Sequence, residues 1–377
     1  MNPRVRRGVA LAFLVFLLVQ LGALALVPTF FERGYQTVED PGDPTNSLLY
    51  VGAVLVATAL MLAAFKFDLD WVVRAVIVLT SGLLAWYVVA AVVPPVTVGG
   101  VNVLALGLSA LVPIGLWRYP EWYVIDAAGV LMGAGAAGLF GISFGLLPAI
   151  VLLTVLAVYD AISVYGTEHM LDLAEGVMDL RIPVVLVIPL EWSYSLLDED
   201  FSGADAVGEN GAADGDAGDE SVTDAGGEAV ADGEAVANGD GPTAEADGVD
   251  GARSRVEADD VEGAGSKEEA DEAAVERDAF FIGLGDAVIP TVMIASAAFF
   301  SSAPSLGVPG LSALNLPALC SMLGTFCGLG VLMWMVTKGR AHAGLPLLNG
   351  GAIGGYLLGA VLVGVPLVEA IGLAQFL

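Results

Sequence analysis

The sequence predicts an all-α membrane protein with nine transmembrane helices, a cytoplasmic N-terminus and an external C-terminus. Of its 377 residues, 56% are hydrophobic, and the mean hydropathy is +0.77. Such a composition is too apolar for a soluble chain of this length. Long, nearly uncharged runs fit helices that cross a bilayer, and they lie at about 8–28, 48–65, 71–93, 101–117, 122–141, 146–165, 280–302, 311–337 and 348–372.

The basic residues give the expected orientation. With the N-terminus inside, 13 of the 14 Lys and Arg residues fall on the inner connections, and Arg33 alone falls outside. This asymmetry is the one that cytoplasmic loops show, so it supports both the count of nine and a multi-pass protein of the cell membrane. Ala23-Leu24-Ala25 resembles a signal-peptide cleavage site, but the first apolar run is longer than a normal h-region. We therefore keep it as a membrane helix.

An acidic segment divides the chain into a six-helix part, 1–192, and a three-helix part, 279–377. The segment, 198–278, holds 27 of the 43 acidic residues and only four basic ones. Its Gly, Ala, Asp and Glu composition cannot bury a core, so we expect a disordered cytoplasmic linker. Its charge has the wrong sign for nucleic acid. The acid excess favours a halophilic source, and an ordinary acidic linker is the alternative.

Two shorter segments and two glycine-rich helices complete the outline. An amphipathic piece is expected at 168–180, and an apolar stretch at 182–190 is too short to span, so we expect it to pack at the inner surface. Helices five and nine carry small residues at a spacing that lets helices approach closely in lipid. Asp126, one turn inside helix five, is expected to form an ion pair with Arg118 at the membrane rim.

Two aspartates inside apolar helices are the strongest functional signal. Asp160 lies near the cytoplasmic end of helix six, and Asp286 lies about six residues into helix seven. At about 1.5 Å per residue, both would sit roughly 8–10 Å below the inner surface. A carboxylate at membrane depth costs about 2.5–3.5 kcal/mol, and such residues usually pair with one another at a functional site. Equal depth therefore predicts one shared site.

Two neighbouring carboxyls can perform acid–base chemistry because they share one proton. The ionised member can take a proton from water while the protonated member polarises a peptide carbonyl. Gly283 and Gly285 are expected to loosen the helix before Asp286, which would leave an open face where a peptide can approach. The pattern predicts an aspartyl protease that acts within the membrane.

Three motifs give the chain a resemblance to the presenilin and signal peptide peptidase family of intramembrane aspartyl proteases. They are Tyr159-Asp160, Gly283-Leu284-Gly285-Asp286, and Leu345-Pro346 before the last helix. The resemblance covers roughly 122–192 and 278–360, and the nine-helix layout matches as well. It implies a presenilin-like fold, membrane-spanning peptide substrates, and Asp160 and Asp286 as the catalytic pair. Tyr159, Gly283, Leu284, Gly285, Gly344, Leu345 and Pro346 would shape the active site.

One motif departs from the family pattern. The family has Pro-Ala-Leu followed by Pro, whereas this chain has Ala343-Gly344-Leu345-Pro346. Leucine and the last proline are kept, but glycine in place of alanine should make the segment more flexible.

The predicted orientation is that of the presenilin branch. It suggests substrates whose N-terminus is outside and which are cut near their cytoplasmic end. The chain looks like the simpler archaeal homologues, so we expect no obligatory partner subunits, no cofactor and no metal.

Other classes remain as alternatives. A proton- or cation-coupled transporter would also use intramembrane aspartates, but no inverted repeat is visible and the Gly283-Leu284-Gly285 motif would be unexplained. A prepilin-type peptidase also has a GxGD aspartate, but it would not explain Tyr159-Asp160 or nine helices. A third alternative is a non-catalytic, chaperone-like membrane protein, and only an activity assay distinguishes it from a protease.

Overall fold

The structure, a computed structural model, describes residues 3–166, 185–191, 194–197, 279–338 and 343–375. Helices dominate these residues. They are α1 Pro3–Glu32, α2 Thr45–Lys66, α3 Asp70–Val92, α4 Val103–Arg118, α5 Trp122–Ser143, α6 Leu146–Gly166, α7 Leu284–Phe300, α8 Leu316–Val336, α9 Gly344–Leu362 and the short α10 Leu367–Ala370.

Each of the nine predicted spans overlaps one of the helices α1 to α9. Seven helices of the described part are long and apolar enough to cross a membrane, and α4 and α7 are apolar but shorter. The helical membrane fold is therefore confirmed, while the count of nine spans and the cytoplasmic N-terminus stay predictions. The linker 198–278 and the amphipathic piece 168–180 lie outside the described residues.

The structure adds two short antiparallel strand pairs to the expected helices. β1 (Thr97–Val98) pairs with β2 (Val101–Asn102), and β3 (Val185–Pro189) pairs with β4 (Ala279–Gly283). In the first pair, two glycines with positive φ form the two-residue turn that such hairpins favour. The second pair joins the two ends of the segment that contains the linker.

The apolar stretch at 182–190 therefore contributes a strand. A segment too short to span can still satisfy its backbone by pairing with a second segment, and β4 supplies that partner in the register Val185 to Gly283 and Pro189 to Ala279. Strand β4 continues without a break into α7, so its pairing with β3 determines where α7, the helix that carries Asp286, begins.

Helix α7 lies at the centre of the bundle. Eleven of its 17 residues are buried, and it contacts α1, α5, α6, α8 and α9. The apolar core around it draws side chains from both the six-helix and the three-helix parts. Helix α7, which carries Asp286, is therefore held in place by five other helices.

Glycines allow the closest helix contact, between α8 and α9. A side chain at Gly324 would collide with the carbonyl oxygen of Gly351, and one at Gly355 would collide with that of Cys320. This is the close approach that small-residue spacing predicts. In contrast, α2 buries only Ser47 and packs loosely, mainly against α6.

Candidate active site

Three helices bring the two aspartates to one cavity. Asp160 stands six residues before the end of α6, and Asp286 is the third residue of α7. Helices α6, α7 and α9 contact one another. The two carboxyls are half-buried, line the same cavity of about 590 Å³ and interact electrostatically. The equal depth expected from the sequence thus corresponds to a shared site in space.

The backbone before Asp286 differs from the expected helix. Residues 279–283 form β4, and Gly283 has the extended angles φ −58° and ψ 133°. Asp286 therefore lies in the first turn of α7, so the expected position six residues inside a helix is wrong. The pairing of β4 with β3 overrides the apolar run that suggested an earlier helix start.

The two glycines of this motif leave space around Asp286. A Cβ on Gly283 would lie 3.6 Å from Asp286 Oδ2, which is ordinary van der Waals contact, and a Cβ on Gly285 would meet nothing within 4 Å. Both glycines are exposed and line the cavity. The space beside Gly285 is open, and it lies at a strand-to-helix junction rather than in a loosened helix.

The start of α9 contacts both aspartates. The backbone N–H of Leu345 donates a hydrogen bond to Asp160 Oδ2 at 3.0 Å. A Cβ on Gly344 would lie 3.4 Å from Asp286 Oδ2 and equally far from Leu332 Cδ2. The altered third motif therefore keeps a backbone contact to one aspartate and close proximity to the other, and the position of Gly344 would accommodate the family's alanine.

A second hydrogen bond holds α9 against α6. Asn349 is buried, and its Nδ2 donates to the carbonyl oxygen of Leu153 at 2.9 Å. Asn349 stands one turn after Leu345, and Leu153 stands two turns before Asp160. This contact therefore supports the geometry of the Leu345 to Asp160 hydrogen bond. The sequence contained no signal for it beyond a polar residue in an apolar helix.

Most of the sequence-predicted site residues meet in the cavity, and two do not line it. Leu284 packs against the apolar core, and Pro346 is half-buried in the first turn of α9. Those that line it are Tyr159, Asp160, Gly283, Gly285, Asp286, Gly344 and Leu345. Sequence reasoning missed the other lining residues, which are Tyr50, Val54, Leu156, Val164, Val185, Phe281 and Ile289.

Asp126 does not form the ion pair expected from its place in the sequence. It is 7% exposed, and its Oδ1 accepts a hydrogen bond from the backbone N–H of Val187 at 2.8 Å. Arg118 is exposed, and no ion pair joins it to Asp126 among the described residues. A strand edge beside α5, which the sequence did not reveal, offers a closer partner for the carboxylate.

Metal-binding geometry is absent from the described ranges. No group of three or more His, Cys, Asp or Glu side chains there could hold an ion.

Comparison with known proteins gives a consistent family. The model of the signal-peptide peptidase and presenilin aspartyl protease family matches residues 13–218 and 258–365. Among solved structures, a presenilin family intramembrane aspartate protease in space group C222 is 26% identical, with a TM-score of 0.55, and the match covers 94% of this chain and 99% of that one. Another in space group P2 is 27% identical, with a TM-score of 0.53 and coverage of 93% and 96%.

No curated protein gives a significant match to this chain. The family model alone spans well over half of the sequence, including both motifs with an aspartate. The chain therefore belongs to the signal-peptide peptidase and presenilin family of aspartyl proteases.

Proposed function

We propose that this protein hydrolyses peptide bonds of membrane-spanning substrates, with Asp160 and Asp286 as its catalytic pair. The observation that carries the proposal is the meeting of these two carboxyls, from different helices, in one cavity. An acid within an apolar membrane helix is energetically costly, and such residues usually mark a functional site. Membership of an aspartyl protease family supplies the reaction class.

The pair works by holding one proton between two carboxyls. The ionised carboxylate takes a proton from the attacking water, the protonated one donates to the carbonyl oxygen of the scissile bond, and a tetrahedral intermediate forms. Its collapse breaks the C–N bond: the carboxyl that was protonated by the water gives its proton to the leaving amine, while the other carboxylate takes back a proton from a hydroxyl of the intermediate, which restores the single shared proton. The hydrogen bond donated by the Leu345 N–H orients the Asp160 carboxyl for this reaction.

The shape of the cavity supports a peptide substrate. Its walls are mostly apolar, as a membrane-derived segment requires, while Gly283 and Gly285 leave the approach to Asp286 open. The loosely packed α2 contributes Tyr50 and Val54 to the same cavity. An apolar peptide segment is therefore a substrate that this cavity suits.

Two further parts of the proposal come from the family resemblance. The substrate would have its N-terminus outside the cell and be cut near its cytoplasmic end. The enzyme would act in the bilayer without obligatory partner subunits, in keeping with its resemblance to the simpler homologues of the family.

Cleavage by the purified chain tests the proposal. The full-length protein is reconstituted in liposomes with a reporter transmembrane peptide, and product is measured by mass spectrometry. We expect cleavage by the wild type, none by Asp286→Ala, and inhibition by a hydroxyl-containing transition-state mimic, which replaces the attacking water. An inactive wild type in several lipids, or equal cleavage by Asp286→Ala, would contradict it.

A further inference from the structure

Asp126 is a third carboxyl within the membrane helices, and the two-aspartate mechanism does not use it. It stands in the second turn of α5 and is 7% exposed. Burial of such a group is unfavourable unless a partner compensates for it. Its partner is the backbone N–H of Val187, at 2.8 Å from Oδ1. The carboxyl therefore serves strand β3, to which Val187 belongs.

The N–H of Val187 lies on the edge of β3 that faces away from β4, and this hydrogen bond provides it with an acceptor. Alternate residues of an antiparallel strand turn their N–H groups toward and away from the partner strand. Val187 is paired in register with Phe281 of β4, but it donates to Asp126. Strand β3 is thus held between α5 on one edge and β4 on the other.

The two strands lead from Asp126 to the proposed active site. Val185 at one end of β3 pairs with Gly283 at the end of β4, and Asp286 follows three residues later. Val185, Phe281 and Gly283 all line the cavity that holds the aspartates. A displacement of β3 would consequently move both the cavity wall and the start of α7.

A second contact on the same face of α5 supports this route. A Cβ on Gly129, three residues after Asp126, would lie 2.8 Å from Leu186 Cδ2, and one on Gly133 would lie 3.3 Å from Leu284 Cδ1. Residues three and four apart share a helix face. Asp126, Gly129 and Gly133 therefore form one surface, which seats β3 and the first residue of α7.

We propose that Asp126 is a positioning residue, which holds β3 against α5 so that β4 and the first turn of α7 place Asp286 for hydrolysis. Its effect on turnover rests on the proposed function, whereas its hold on β3 does not. The role needs an oxygen acceptor at this place rather than a titrating group. Asparagine, which keeps a carbonyl oxygen, should therefore replace aspartate, and leucine of similar size should not.

The activity measurement uses the full chain in liposomes with the reporter peptide. We expect Asp126→Leu to lower kcat about tenfold or more, with KM changed less than about threefold, while Asp126→Asn retains more than half of the wild-type kcat. Glu369→Leu, an exposed acid in α10, controls for the loss of one negative charge and should be unchanged. Asp126→Ala removes the acceptor without added bulk, should leucine disturb the fold.

Hydrogen–deuterium exchange on the same samples tests the hold on β3 independently of catalysis. Asp126→Leu should raise exchange at residues 185–189 and 279–283 while exchange in α8 and α9 stays constant, and Asp126→Asn should resemble the wild type. If the wild type proves inactive, the proposed function fails, yet this exchange pattern still decides whether Asp126 holds the strands.

Two results would overturn the inference in an active enzyme. One is that Asp126→Leu and Asp126→Ala, which both remove the acceptor, have the same kcat and the same hydrogen exchange as the wild type. The other is a lower melting temperature with unchanged kcat of the folded fraction, which a purely structural role predicts.

Discussion

A methyl group added at Gly285 tests whether the glycines before Asp286 serve helix packing or leave space for the substrate. The variant Gly285→Ala adds a Cβ that meets nothing within 4 Å, so it creates no clash in the folded protein. Alanine also favours a helical backbone by up to about 1 kcal/mol relative to glycine. The structure therefore predicts that the free energy of unfolding is unchanged or raised, and that the melting temperature rises by roughly 2 °C at most.

Activity should respond in the opposite direction. Gly285 lines the cavity and is exposed within it, so the methyl occupies space that a substrate backbone needs. A misplacement of about 1 Å can lower turnover about 100-fold, and we expect at least a tenfold loss of kcat/KM. The assay is reporter cleavage per folded enzyme, with the melting temperature measured on the same preparation.

Two glycines elsewhere provide matched controls. Gly354 of α9 is exposed and meets nothing within 4 Å, so Gly354→Ala should give the same small gain in stability with full activity. Gly324→Ala should lower the melting temperature, because its Cβ collides with the Gly351 carbonyl. Full specific activity of Gly285→Ala, or a stability loss like that of Gly324→Ala, would refute the reasoning.

Three further predictions follow from the cavity. Leu345→Pro removes the N–H that donates to Asp160, in the first turn of α9, where proline is tolerated. A hydrogen bond to a charged group is worth about 1.5–3 kcal/mol, so kcat should fall roughly 10- to 150-fold. The control Leu345→Val keeps the backbone N–H and should keep most of the activity. The pH profile of kcat/KM should be bell-shaped, because activity needs one ionised and one protonated carboxyl, and a flat profile would exclude the pair. Val54→Trp should raise KM for the reporter by filling the cavity from α2, whereas an unchanged KM would remove α2 from the substrate path.

The sequence identified the helices and both aspartates because their signals are local. Long uncharged runs have only one stable form in lipid, and an acid within them is conspicuous. Counting about 1.5 Å per residue predicted a similar depth for Asp160 and Asp286, although the residues before Asp286 form β4 rather than helix. The resemblance then added the Gly344-Leu345-Pro346 segment, and the structure brings two of those three residues to the cavity.

What the sequence could not provide are contacts between distant segments. β3 and β4 are apolar, and an apolar run of this length fits a strand and a buried helix segment equally well. Their pairing across the linker moves the start of α7 to Leu284. Proximity in the sequence favours Arg118 as the partner of Asp126, whereas the partner in the structure, Val187, is 61 residues away. Tyr50 and Val54 likewise reach the cavity only through the packing of α2 against α6.

The central claim is that Asp160 and Asp286 act as one catalytic pair, and conservative replacement tests it most directly. Asp160→Asn and Asp286→Asn each keep the size of the side chain but remove one half of the proton-sharing pair. With correct folding shown by an unchanged melting profile, we expect reporter cleavage to disappear in either single variant, and the double variant to be no worse than the singles. Wild-type-like cleavage by either variant would contradict the account and remove that aspartate from the site.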